Sequence, residues 1–321
     1  MSDERTLDLL EAKIQELREL NKVDGLDLSA EIGKLEKKLS QMRTELYANL
    51  GDWERVRIAR NPKRPYALDY IGAIFTGFYE LHGDRMSGDD RALLTGLAEL
   101  DGRKVAIIAQ QKGRDPAENK ERYFGMARPQ GYRKGIRVMH LAERFGFPLI
   151  SMIDTPGAYP GLESEENNIG GAIAESIRSM LEIAVPTIAV IIGEGGSGGA
   201  MAIGAADRVL MLDNAIFSVI SPEGAAAILW KSKERVKEAA AALKLTAPEL
   251  LDMGVIDEVI PEALGGAHKD LQHTASALKQ SLIHHLDQLG EKTIDDLMSS
   301  RYERYRNVGR YSTLPTSEHA E

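Results

Sequence analysis

The stretch Pro186-Thr-Ile-Ala-Val-Ile-Ile192 runs directly into Gly193-Glu-Gly-Gly-Ser-Gly-Gly199, and then into Ala200-Met-Ala-Ile-Gly-Ala-Ala206. An almost wholly apolar run rich in β-branched residues predicts a strand buried on both faces, as in a parallel sheet. The glycines predict a turn, and the small residues after them a short helix. A strand, a glycine turn and a helix N-terminus in succession expose several backbone N–H groups in one place and align them with the helix dipole. Such a place suits an anion or a developing oxyanion.

The same alternation extends on both sides. Residues 104–110, with Val105-Ala-Ile-Ile-Ala109 inside, predict a strand, and 121–145 contain a helix with Gly131 and Gly135 near its start. A strand over 148–153, a loop over 154–166 and a helix over 173–183 precede the decisive stretch. After it come strands at 208–212 and 215–220, helices to about 253, a short strand at 255–260 and helix across 268–300. Alternating helices and buried strands define an α/β fold. Ahead of this core, residues 1–50 predict a helical hairpin. Leu28, Ile32, Leu35, Leu39, Met42 and Leu46 form a heptad seam, and Leu10, Ile14 and Leu17 repeat the rhythm. Asn21 to Gly25 is the turn between them, and Ser29 helps to cap the second helix. Residues 50–66 carry Arg55, Arg57, Arg60, Lys63 and Arg64 with Pro62 and Pro65, which predicts an extended, positively charged strap. The domain expected to follow spans 51–310, and 311–321 reads as a disordered tail.

Composition excludes several functions. No cysteine is present, so thiol nucleophiles, disulfides and cysteine-ligated zinc or iron–sulfur centres are excluded from this chain. A thiol-free chain whose acidic N-terminus lacks an apolar core segment points to the cytoplasm. A net charge of −9 argues against a general nucleic-acid or anionic-membrane binder. None of the seven histidines stands at a familiar metal spacing, so no metal site is expected here. Glycine stands out instead: 30 of 321 residues exceeds the usual share of about 7%.

The glycine turn admits three chemical uses. Gly193, Gly195 and Gly198 satisfy the dinucleotide pattern, with Asp213 at the end of the next strand, but few residues separate Gly199 from Arg208 for a crossover helix. Gly195-Gly-Ser-Gly-Gly199 also satisfies the nucleophile-elbow pattern, making Ser197 a candidate nucleophile with Asp213 or Asp257 and then His268. The third use is the backbone itself: adjacent glycines let two N–H groups converge on one oxygen. Close helix–strand packing accounts for Ala200 to Ala206, but less well for glycine at 193, 195, 196, 198 and 199, which points to a ligand approaching the backbone. A second loop, Asp154-Thr-Pro-Gly-Ala-Tyr-Pro-Gly161, also leaves a buried strand, so both loops are expected at one site beyond strand C-terminal ends.

These loops, together with Val219-Ile-Ser-Pro-Glu-Gly224, resemble the α subunit family of bacterial acetyl-CoA carboxylase carboxyltransferase. The resemblance extends to Arg64-Pro-Tyr-Ala-Leu-Asp-Tyr70, Gln111-Lys-Gly-Arg114, Phe124-Gly-Met126, Gly131-Tyr-Arg-Lys134, Ala225 to Lys231 and Pro261 to His268, and covers nearly the whole chain. It implies a crotonase-like (ClpP/crotonase) spiral of β-β-α units. It also implies a zinc-carrying β subunit in an α2β2 heterotetramer, within an ATP-binding holoenzyme of fatty-acid synthesis. The implied reaction moves a carboxyl group from carboxybiotin, on a separate biotin carboxyl carrier protein, to acetyl-CoA, giving malonyl-CoA. This needs two oxyanion holes. By resemblance this chain supplies the one for biotin, through backbone N–H groups at Gly198 and Gly199 supported by Gly195 and Gly196, and β supplies the one for the thioester. Substrate contacts are expected from Gly157, Ala158 and Tyr159. Where the family continues after Glu165-Glu166 with an Arg-Gly-Gln type sequence, this chain has Asn167-Asn168-Ile169, so no side-chain role is carried over to 167–169.

Between Lys112 and Arg137 stand eight basic residues and three acidic ones, a local reversal of sign. This stretch, Arg133 and Lys134 above all, is expected to meet the CoA phosphates or an acidic partner surface; otherwise it is a solvated helix face.

Overall fold

The computed structural model describes residues 2–23, 27–48, 50–232 and 234–309. The expected tail at 311–321 and Gly25 of the expected turn lie outside the described residues. Helices Ser2–Val23 and Ser29–Ala48 pack along the anticipated seam: Leu7, Ile14, Ile32 and Leu39 are buried, with Leu10, Leu17, Leu28, Leu35 and Met42 beside them. The entry to the second helix is held by Asp27, whose carboxylate accepts the Ser29 N–H at 3.1 Å; Ser29 is the first helical residue and not its cap.

Among the described residues, eight strands form one mixed sheet: β1 (Thr76–Glu80), β2 (Leu93–Leu100), β3 (Arg103–Gln110), β4 (Leu149–Thr155), β5 (Thr187–Gly196), β6 (Arg208–Leu212), β7 (Ile216–Ser218) and β8 (Glu258–Ile260). Their order is β1-β2-β3-β4-β5-β6-β8, with β7 paired to β5 off this path. From β3 to β8 neighbouring strands are parallel. β4 is buried throughout and β5 nearly so, because helices cover a parallel sheet. β1 and β2 are antiparallel additions that the sequence pattern did not reveal. β2 and β3 form a hairpin closed by Asp101-Gly102, both at positive φ, which matches a tight hairpin turn.

β5 changes partner partway along. Residues 188–191 pair with β6, whereas Glu194, Gly195 and Gly196 pair with β7. The expected turn beginning at Gly193 is therefore still strand through Gly196, because β7 supplies the ladder. Helix Pro129–Phe145 lies on β2 and β3 and packs against helix Ile169–Glu182, while Leu271–Gly290 packs against Ala67–Ile74, β5 and β8. The last helix, Ile294–Arg306, is locked by buried Arg301, which pairs with Asp207 at 2.7 Å and donates to the Ile183 and Val185 carbonyls.

The expected strap at 50–66 is not extended. Asp52–Ala59 is a helix, and the chain turns through Asn61 to Arg64. Three of its cations meet carboxylates: Arg55 on Asp213, Arg60 on Glu194 and Glu223, Arg64 on Glu262, while Arg57 and Lys63 are exposed.

Candidate functional site

The loops after β4 and β5 meet backbone to backbone. A Cβ built on Gly196 would lie 2.2 Å from the Pro156 carbonyl oxygen, and one on Gly199 would lie 2.5 Å from the Gly157 carbonyl carbon. Neither gap admits a methyl group, so glycine at these positions is dictated by the neighbouring loop. Gly195 is dictated by the Phe217 ring, 2.8 Å from its Cβ position, and Gly193 by the Asp154 carboxylate at 2.4 Å. This corrects the expectation that a ligand explains all five glycines: close packing within the protein explains four of them. Gly198 is different. Its Cβ position meets only Ile173, at 3.6 Å, which is ordinary contact.

Ser197 starts the helix Ser197–Gly204 from a left-handed conformation, φ +51°. Such a strand-to-helix corner redirects the chain so that the next amides, those of Gly198 and Gly199, fall in the first helical turn, where the helix has no acceptor for them. On the facing loop, Thr155 Oγ1 donates to the Gly157 carbonyl at 2.6 Å and accepts the Gly157 N–H at 3.1 Å, closing a tight turn. Tyr159 is tied down by its N–H to the Ala127 carbonyl at 3.1 Å and by its ring against Tyr123, 4.7 Å between centroids. Beside Gly195 and Gly196 a cavity of about 30 Å³ opens toward Arg60, Ser221 and Pro222, which brings the Val219–Gly224 segment to the same corner.

Beneath the loops lies a buried ionic lattice that sequence reasoning did not find. Lys112 Nζ bonds Asp154 at 2.7 Å and Glu194 at 3.2 Å, and Arg60 takes the other Glu194 oxygen at 2.8 Å. Arg64, fully buried, donates to the Ile192 carbonyl at 2.8 Å and pairs with Glu262, which also accepts from the Asn214 and Ala267 amides. Burial alone would push the Glu194 carboxyl up, but Lys112 and Arg60 outweigh it and hold it below its ordinary value. Burial likewise disfavours charge on Lys112, and Asp154 and Glu194 reverse that, so its affinity for a proton rises. The available signal was a set of polar residues embedded in apolar strand ends, which cannot be buried without partners.

Much of the positive stretch 112–137 is paired with acids, most of them from other segments. Arg114 pairs with Asp69 and lies over the Tyr66 ring; Arg122 pairs with Glu118, and Arg128 with Glu163. Lys134 is fully buried, its Nζ 2.6 Å from Asp89 and 2.8 Å from the Asp90 carbonyl, so the expectation that it contacts substrate is corrected: it anchors the helix Pro129–Phe145. Arg133 is half-buried and donates to the Asn167 carbonyl at 2.6 Å, a contact with backbone.

The hydrolase and dinucleotide arrangements do not form. Asp213 faces Arg55, Asp257 pairs with Arg304, and His268 lies against Asn61 at 3.4 Å. Among the described residues, the Ser197 hydroxyl, which is exposed, has no hydrogen-bond partner. The helix after the glycine turn has only 8 residues, too short for a dinucleotide crossover. Among the described residues, no group of three or more His, Asp or Glu side chains is placed to hold a metal ion, and no helix is long and apolar enough to cross a membrane.

The site is therefore a mixed α/β sheet whose strand β5 ends at a glycine-lined helix N-terminus. Solved structures with this fold include transcarboxylase 12S with methylmalonyl-coenzyme A bound (TM-score 0.59, 21% identity, covering 81% of this chain and 45% of that one). Another is a Pseudomonas malonate decarboxylase hetero-tetramer in complex with coenzyme A (TM-score 0.59, 20% identity, 74% and 94% covered). Residues 1–309 match the family described as acetyl co-enzyme A carboxylase carboxyltransferase-like. The acetyl-coenzyme A carboxylase carboxyl transferase subunit alpha of Geobacter metallireducens is 50% identical over 303 residues, covering 94% of this chain and 95% of its own length. That of Geobacillus kaustophilus is 49% identical over 312 residues, covering 97% and 96%. The chain belongs to the family of acetyl-CoA carboxylase carboxyltransferase α subunits.

Proposed function

We propose that this chain, with a β subunit, transfers the carboxyl group from carboxybiotin on a carrier protein to acetyl-CoA, forming malonyl-CoA. Biotin, when bound, supplies the carboxyl group and holds negative charge on its ureido oxygen once that group has left. This chain's part is to meet that charge with the N–H groups of Gly198 and Gly199. The observation that carries the proposal is the open position at Gly198, in a turn whose other glycines are closed in by protein. Backbone donors aimed at a developing oxyanion typically contribute about 3 kcal/mol each. Lys112, Asp154 and Glu194, at the roots of the two loops, are tied to one another, so none of these three stands free as a base. Gly157, Ala158 and Tyr159 form the facing wall and Arg133 a rim contact for substrate.

In the same proposal, residues 1–50 are a packing arm, 51–310 the transferase domain and 311–321 a tail. The assembly is an α2β2 heterotetramer whose zinc sits in β, as the family resemblance implies and as a chain without cysteine is consistent with. It works in the cytoplasm. Mixing the chain with a β subunit and assaying carboxylation of biocytin by malonyl-CoA tests the proposal. Activity is expected from the mixture and from neither chain alone; turnover by this chain alone contradicts it.

A further inference from the structure

Gln110, the last residue of β3, is fully buried and bridges the two loops of the site. Its Oε1 accepts the Asp154 N–H at 3.1 Å, and its Nε2 donates to the Gly199 carbonyl at 2.7 Å. Two residues on, Lys112 Nζ bonds Asp154 Oδ1 at 2.7 Å and Glu194 Oε1 at 3.2 Å, and Asp154 Oδ1 also takes the Glu194 N–H at 2.9 Å. The end of β3 therefore grips the root of the Asp154–Gly161 loop and both ends of the glycine turn.

Two glycines make room for this grip. A Cβ on Gly193 would lie 2.4 Å from Asp154 Oδ1, and one on Gly125, at φ +80°, would lie 2.9 Å from Lys112 Cγ. The charges balance, Lys112 and Arg60 against Asp154 and Glu194. Apolar side chains of similar volume would hold two loops together equally well. Directional bonds do something further: they fix the peptide planes they reach, and the Gly199 carbonyl belongs to the Gly199–Ala200 plane, which adjoins at the Gly199 Cα the plane that carries the Gly199 N–H.

We propose that Gln110 and Lys112 are positioning residues that hold the first-turn amides of Gly198 and Gly199 in the direction required for carboxyl transfer. The inference rests on the proposed role of those amides. Preorganised donors lose their effect when displaced, and misplacement by about 1 Å costs on the order of a hundredfold in rate. Gln110 is fully buried and the Lys112 ammonium is taken up by Asp154 and Glu194, so the loss falls on kcat.

The test uses the assembled complex with malonyl-CoA and biocytin. Gln110→Glu keeps size and the acceptor for Asp154 but replaces the donor to Gly199 with a second oxygen. The expected result is a kcat lowered at least about tenfold, an unchanged KM for malonyl-CoA and intact assembly by size-exclusion chromatography. If Gln110→Glu does not assemble, the pair Lys112→Gln and Lys112→Arg decides: the first loses turnover and the second recovers most of it. A complex in which Gln110→Glu turns over like wild type, or in which Lys112→Gln and Lys112→Arg are equally active, overturns the positioning role. A KM rise at constant kcat does the same. An inactive wild-type complex overturns instead the carboxyltransferase proposal on which the inference rests.

Discussion

Removing one N–H at Gly198 separates a backbone donor from a packing role. Gly198→Pro deletes the donor and costs the first turn no intrahelical bond, but it also restricts Ser197 before it, at φ +51°, so the variant is read only where it folds and assembles. Gly198→Ala keeps the donor, and the added methyl meets only Ile173, at 3.6 Å, so the backbone has no reason to move. Loss of one oxyanion donor corresponds to about 3 kcal/mol, and at about 1.4 kcal/mol per factor of ten this is a fall in kcat of on the order of a hundredfold. The alanine variant is expected within about threefold of wild type, since it creates neither a clash nor an unmet donor. Both variants are assayed as complexes with β, by initial rates of biocytin carboxylation, after circular dichroism and size-exclusion chromatography show equal folding and assembly. Near-normal turnover by an assembled Gly198→Pro complex refutes the donor role. Equal loss in both variants refutes it too, because the alanine variant retains the N–H.

Ser197→Ala is expected to leave carboxyl transfer within about twofold of wild type, since the hydroxyl has no partner among the described residues and only the corner conformation is used; a large loss in initial rate would restore a side-chain role. Lys134→Met should lower stability by about 1–3 kcal/mol in urea titration by stranding Asp89 and the Asp90 carbonyl. It should not change the ionic-strength dependence of the acetyl-CoA KM, because a buried ammonium cannot reach CoA phosphates. Glu262→Gln leaves the Arg64 charge buried and uncompensated, for an expected loss of about 3–5 kcal/mol at pH 7, read by denaturant midpoint. Burial pushes the Glu262 carboxyl up and Arg64 more than reverses this, as Lys112 does for Glu194, so both folded values lie below the ordinary 4.5. Their stabilisation is complete above that value and is lost as pH falls through the lowered ones. The raised Lys112 and Arg64 lose theirs only at pH beyond the ordinary lysine and arginine values. A thermal midpoint flat near neutrality that falls below about pH 4.5, with a shallower acid limb in Glu262→Gln, is the expected profile.

Periodicity carried the parallel core well. β3, β4, β5 and β6 fall within a few residues of their expected places, because strands buried on both faces must be continuous apolar runs. β1 and β2 escaped it. Thr76-Gly-Phe-Tyr-Glu80 and Leu93-Leu-Thr-Gly-Leu-Ala-Glu-Leu100 carry interior glycines and no clean alternation, and the Asp101-Gly102 turn was the readable clue. The glycine corner was legible as a place for backbone donors. Which glycine is open and which four are closed in was not, since that depends on Pro156, Gly157, Phe217 and Asp154 arriving from other segments.

Charge was read least well. The run 50–66 and the run 112–137 both look like solvent-facing cations, and in each several turn inward, Arg60, Arg64, Lys112 and Lys134 above all. A local sequence lists the cations but not the acids that meet them: Glu262 lies 198 residues from Arg64, and Glu194 lies 82 from Lys112. The sequence by itself determined the α/β layering, the hairpin seam and the position of the glycine corner, because these follow from hydrophobic period and backbone freedom within a short window. Only the tertiary structure decided that Lys134 anchors a helix, that Gln110 and Lys112 tie the two loops together, and that one glycine among five stands open. Those are contacts between distant segments, fixed by which strands become neighbours in the sheet and by the need of every buried charge for a partner.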